Sequence, residues 1–112
     1  MKKVKDEFFI FDHQKGWLEV SADPVVIPGF EEFDLFVHNI FPDEEDEEDD
    51  AFGYAVSEGK TGCKVSLNMD TKEEAIKNAA KLFTDYGKDR IDELIKQFVE
   101  RDGLSPRWSM ED

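Results

Sequence analysis

Few residues of this chain have types suited to chemistry: His13, His38, a lone Cys63, and the tripeptide Gly59-Lys60-Thr61. Cys63 and His38 on adjacent strands would make a nucleophile and its base. Cys63, however, falls on the apolar side of a hairpin argued below, where a free cysteine is ordinarily a small core residue. Gly59-Lys60-Thr61 ends like a phosphate-binding loop. That motif needs a glycine five residues earlier, where Tyr54 stands, and a strand-to-helix turn, whereas this turn joins two strands. Two histidines and one cysteine at these spacings do not complete a zinc set. With 28 acidic residues, neighbouring carboxylates are unavoidable, and no pair is isolated in an apolar stretch that would tune its pKa. No catalytic residue, metal site or cofactor is expected.

The elements that must position these residues follow from periodicity. Phe8, Phe9, Ile10 and Phe11 read as a central, covered strand. Asp12-His13-Gln14-Lys15-Gly16 is a hairpin loop, and Trp17 to Val20 returns as a second strand. Asp23-Pro24 and Pro28-Gly29 bracket Val25-Val26-Ile27, at most a short edge strand, because proline cannot donate to a ladder. Residues 33–41 fit a helical stripe (Phe33, Phe36, Val37, Ile40, Phe41) and also strand alternation (Phe33, Leu35, Val37). The Phe, Val and Ile content and the missing N-cap decide for strand.

Phe52, Tyr54 and Val56 alternate on one face, and Val65, Leu67 and Met69 do so after Gly59-Lys60-Thr61-Gly62. Placing Glu58 opposite Cys63 pairs Val56 with Val65, Tyr54 with Leu67 and Phe52 with Met69, which buries all the large apolar side chains together. Thr71-Lys72-Glu73-Glu74 is a capping box that opens a helix with Ala75, Ile76, Ala79, Ala80, Leu82 and Phe83 on its core face, stopped at Gly87. A second helix spans about Asp89 to Arg101 with Ile91, Leu94, Ile95, Phe98 and Val99 as its stripe, closed by Gly103 and Pro106. Residues 104–112 form a short tail that holds Arg107 and Trp108.

Residues 52–86 resemble the hairpin-plus-helix core of HicB-type antitoxins. The likeness rests on Thr61-Gly62-Cys63 in the turn and Thr71-Lys72-Glu73-Glu74-Ala75 at the helix start, and covers about a third of the chain. The N-terminal third and the acidic run have no counterpart in that pattern, and no functional residue is carried over from it.

Charge is the most specific signal. The 112 residues include 28 acidic and 14 basic ones, for a formal net charge of −14. Asp43, Glu44, Glu45, Asp46, Glu47, Glu48, Asp49 and Asp50 are consecutive and supply more than half of it. Like charges repel and resist burial, so this run is expected to be a solvated, flexible loop, started by the break at Pro42. It lacks the interleaved Gly and Asn/Ser ligands of an EF-hand. Fully extended, it reaches about 26 Å, the scale on which a duplex presents a line of phosphates at one charge per ~1.7 Å. Such acidity argues against direct nucleic-acid binding and against docking on an anionic membrane. No apolar stretch approaches a membrane span. Asp6 and Glu7 interrupt the basic start before any secretory h-region, and one cysteine cannot form an internal disulfide. A cytoplasmic location is the simplest expectation.

The expectation is therefore one α+β domain over residues 1–112. An antiparallel sheet of four or five strands carries two C-terminal helices on one face. The expected role is a small acidic binder, an inhibitor or nucleic-acid-mimicking decoy of a basic nucleic-acid-handling protein. Phage counter-defence proteins are similar in general appearance. The alternative is an immunity protein or antitoxin against a basic toxin, and a small enzyme ranks third. The partner-binding candidates are Asp43 to Asp50 together with Trp17 and Trp108.

Overall fold

Asp12 shows how local chemistry sets the first hairpin. Its Oδ1 accepts the backbone N–H groups of Gln14 and Lys15, both at 2.8 Å, and these bonds hold its carboxyl below the usual carboxylate range. Gly16 then takes the left-handed φ of 81° that closes the turn. In the computed structural model, which describes residues 2–39 and 53–110, this turn joins β2 (Phe8–Asp12) to β3 (Gly16–Val20). They are preceded by β1 (Lys2–Lys3). The acidic run Asp43–Asp50 and Phe52 lie outside the described residues.

Only Ser21 separates β3 from β4 (Ala22–Val25), yet the two strands belong to different sheets. β4 pairs antiparallel with β5 (Leu35–Asn39), and β5 with β6 (Tyr54–Glu58). Pro24 sits on β4, the edge strand of this sheet, as its missing N–H requires. Within segment 33–41, Leu35–Asn39 is strand, and residues 40 and 41 lie outside the described residues. The capping box is present: Thr71 Oγ1 accepts the Glu74 N–H at 3.1 Å and opens α1 (Lys72–Tyr86). Gly87 links it to α2 (Lys88–Asp102), and Gly103 ends that helix. β7 (Trp108–Ser109) returns to pair with β1.

The fold is α+β with two C-terminal helices, but the strands form three small antiparallel sheets rather than one of four or five. The strand pairings are the physical reason: β3 bonds to β2 and β4 to β5, so neither ladder continues into the other, and β1 and β7 pair apart from both. The Phe8–Asp12 strand is accordingly half-buried with one strand partner, not central and covered. Its apolar side chains are used elsewhere. The Phe8 ring lies 4.7 Å from that of Phe36, on the second sheet, and Phe11 meets the Trp17 ring edge-on at 5.0 Å.

Leu35, Val37 and Val56 project from the β4–β6 sheet into a core with Ala75, Ala79 and Phe83 of α1. The two alanines are fully buried and let the helix approach closely. Phe36, Ala55 and Ser57, on the opposite face, are also fully buried.

The 52–69 hairpin is the main correction. Ser57 pairs with Lys64 as the alternation requires, but Tyr54 pairs with Met69 rather than Leu67. The register slips by two residues. Ser66 causes the break, because its hydroxyl accepts the Val56 N–H at 2.8 Å in place of a backbone carbonyl. Leu67 is extruded to 66% exposure, and its N–H is taken by Asn78 Oδ1 of α1 at 2.7 Å. Leu67→Ala should therefore change stability by less than ~0.5 kcal/mol, whereas the same deletion at buried Leu35 should cost about 2–5 kcal/mol. Urea denaturation of both variants checks the pair, and equal losses would restore the continuous register.

Candidate functional site

The two candidate tryptophans converge on one turn, residues 59–62. Gly62 adopts φ 68°, and a Cβ there would lie 2.6 Å from Trp17 Cζ3 and 2.7 Å from the Phe11 nitrogen. Only glycine admits that approach. The Gly62 carbonyl accepts the Phe11 N–H at 3.0 Å, which fastens the first hairpin to the turn. On the other side, Lys60 Nζ lies 4.8 Å from the centre of the Trp108 ring. Both tryptophans are half-buried. The acidic candidates Asp43 to Asp50 lie outside the described residues.

Trp108 leads to the least legible feature of the chain. Its indole N–H donates to Asp34 Oδ2 at 2.9 Å. The same carboxylate receives Arg107 in a fork, Nε to Oδ2 at 2.8 Å and Nη2 to Oδ1 at 3.1 Å. Arg107 is only 4% exposed. Its Nη1 donates to the carbonyls of Lys5, Asp6 and Glu7, and its guanidinium carbon sits 4.2 Å from the centre of the Phe8 ring. The planar fork and fixed charge of arginine suit this arrangement, and lysine would not reproduce it. The Asp34 carbonyl accepts the Gly59 N–H at 2.7 Å, and a Cβ on Gly59 would overlap the Asp34 carboxylate. The tail, the N-terminal segment and the turn therefore meet at one ion pair.

The turn has a second carboxylate beneath it. Glu58 is 2% exposed. Its Oε2 accepts the Lys60 N–H and its Oε1 the Thr61 N–H, both at 2.8 Å, and the Thr61 hydroxyl adds a further bond. Burial raises its pKa above the usual carboxylate value, against these bonds and the nearby Lys60 charge. Cys63 follows, with its Sγ donating to the Thr61 carbonyl at 3.7 Å and its thiol pKa raised by burial.

His38 is not paired with Cys63. Its Nδ1 faces the Asn39 carbonyl at 2.9 Å and its Nε2 faces Ser57 Oγ at 2.8 Å. A carbonyl can only accept, so Nδ1 carries the proton and neutral Nε2 accepts from the Ser57 hydroxyl. This has the polarity of a serine–base pair, yet Ser57 is fully buried and closed to a substrate. Among the described residues, no group of three His, Cys, Asp or Glu side chains could hold a metal ion. No helix there is long and apolar enough to cross a membrane.

No family model matches the chain, and neither a curated protein nor a solved structure matches it. The likeness of residues 52–86 to HicB-type antitoxins is therefore carried no further.

The His38 environment predicts a pH effect with a definite sign. Burial lowers its pKa below the ordinary value of 6.5, so the unfolded chain takes up a proton at a pH where the folded one does not. Stability should fall as pH drops below 6.5 toward the depressed folded-state pKa. Glu58 acts in the opposite sense: its raised pKa lowers stability as pH rises above 4.5. Denaturation between about pH 5.5 and 7.5 should show a shallower fall on acidification in His38→Gln than in the parent. An unchanged slope would mean that the imidazole is not held neutral.

Proposed function

We propose that the chain is a small acidic protein-binding domain, an inhibitor or nucleic-acid-mimicking decoy of a basic nucleic-acid-handling protein. The observation that carries this reading is the run of eight consecutive carboxylates, Asp43 to Asp50, within a chain of formal net charge −14. A basic nucleic-acid channel attracts a line of negative charge whatever backbone supplies it, and complementary potentials chiefly raise the association rate. The rest of the chain is only mildly acidic, so the attraction is local. In this reading the described residues are a scaffold that presents the run between β5 and β6. An immunity protein or antitoxin would use the same physics on a basic toxin, and the identity of the captured partner separates the two. The basic partner is the proposal's only ligand, without a cofactor, and an intracellular setting accords with it.

Immobilised full-length chain should retain a basic nucleic-acid-binding protein from host lysate at low salt, and duplex DNA should compete for it. Replacing Asp43 to Asp50 with Ser and Asn should lower the association rate with that protein by about tenfold or more and flatten its salt dependence, with thermal stability unchanged or slightly raised. Trp17→Ala and Trp108→Ala, where folded, should affect the complex less. An association rate and salt slope equal to the parent's after neutralisation would remove the run from the mechanism. Failure to retain any basic protein would overturn the reading as a whole.

A further inference from the structure

β3 has one bonded edge and one open edge. Phe11 of β2 donates its N–H to the Gly62 carbonyl at 3.0 Å, away from β3. Alternate residues of an antiparallel strand bond to opposite sides. Phe8, Ile10 and Asp12 therefore bond to Val20, Leu18 and Gly16, their register partners. The N–H and C=O groups of Trp17 and Glu19 face the other way. Among the described residues, no group bonds to that outer edge.

The neighbouring edges are closed to further pairing. β4, the edge of the three-stranded sheet, carries Pro24, which has no N–H, and Asp23, held by Lys72 at 2.8 Å. Prolines and charges blunt an edge in this way. The outer edge of β2 is taken by Gly62. β3 has no proline and a single charge, Glu19, so its edge is the open side of a ribbon of two strands. A third strand is the ordinary complement of such a ribbon.

This edge is complementary to itself. With Leu18 opposite Leu18 of a second copy, all of Gly16–Val20 falls in antiparallel register. Trp17 then faces Glu19 of the other copy, and Glu19 faces its Trp17, each pair exchanging both backbone bonds. An axis at Glu19 would instead set like charges opposite one another, which is destabilising. In the Leu18-centred register, Lys15 comes diagonally across from Glu19 of the other copy, within reach of a long side chain. Lys15 and Glu19 are both exposed, and twofold symmetry makes their contact twice.

We propose that the chain forms a twofold dimer in which the outer edge of β3 pairs with β3 of a second copy, joining two β2–β3 ribbons into one four-stranded sheet. Trp17 and Glu19 supply the backbone bonds, and the Lys15–Glu19 contacts set the register. Repulsion between two acidic chains opposes the contact, but beyond ~8 Å it is largely screened at about 0.15 M salt. The proposal does not rest on the acidic run or on its partner.

The test is sedimentation velocity of the full-length chain at about 0.15 M salt, from about 10 μM to 1 mM, with amide exchange followed by NMR over the same range. The expected result is a dimer that grows with concentration, in which the Trp17 and Glu19 amides exchange at least about tenfold more slowly. Lys15→Glu and Glu19→Lys should each weaken it by about tenfold or more, and the double variant, with the parent's net charge, should restore it to within about threefold. A chain that stays monomeric throughout would overturn the proposal, whether those amides exchange freely or are already protected by the chain itself. A dimer that leaves their exchange unchanged, that ignores the single changes, or that the double variant fails to restore would overturn it equally.

Discussion

The buried Arg107–Asp34 pair is the contact on which the arrangement of the described segments depends. Asp34 precedes β5, and Arg107 lies 73 positions later in the tail. Through them the tail captures three successive N-terminal carbonyls, the Phe8 ring and the indole of Trp108. A desolvated ion pair is weak evidence for net stability, since attraction must offset the loss of water from both charges. Its consequence here is positional. The guanidinium has a fixed set of donor directions, and the segments that satisfy them come from both ends of the described chain. β1 and β7, two residues each, are too short to hold the ends together alone. The Arg107 carbonyl extends their contact by accepting the Val4 N–H at 2.8 Å.

The 59–62 turn is the second consequence. Asp34 fixes it from one side through Gly59, Glu58 from beneath, and Trp17 and Phe11 from the hairpin layer. The Lys60 carbonyl also accepts the Ser105 N–H at 2.9 Å, so the tail is bound to the turn independently of the ion pair. The Gly-Lys-Thr sequence that looks like the end of a phosphate loop is a strand-to-strand turn. Its Lys60 and Thr61 N–H groups are occupied by the chain's own carboxylate. An anion site would need those donors free.

Local signals were legible in the sequence, and distant ones were not. The Thr71 capping box, the helix stripes and the glycines after each helix are written in adjacent residues, and the structure places them within a residue or so of expectation. The Asp12–Gly16 turn is equally local. The hairpin after Tyr54 failed at Ser66, because alternation records side-chain polarity and not whether a hydroxyl will replace a backbone carbonyl. The split into three sheets depends on which strands pair, β2 with β3, β4 with β5 and β1 with the distant β7, and alternation within a strand does not record its partner. Asp34 and Arg107 are ordinary charged residues until the fold brings them together. The available hint was an arginine beside a tryptophan after Pro106, a planar cation and a ring that can share one acceptor. Glu58 carried a fainter one, an acid at a strand end just before a turn rich in unpaired N–H groups.

The organising role of the ion pair is tested most directly by a double-mutant cycle on folding stability with Asp34→Ala, Arg107→Met and the double variant. Each single change strands a buried group, so each should cost about 3–5 kcal/mol. Once one partner is gone, the second has less to lose. The double variant should therefore be more stable than the two losses would sum to, by at least about 2 kcal/mol. Losses that simply add would contradict the account, because the two residues would then stabilise the fold independently.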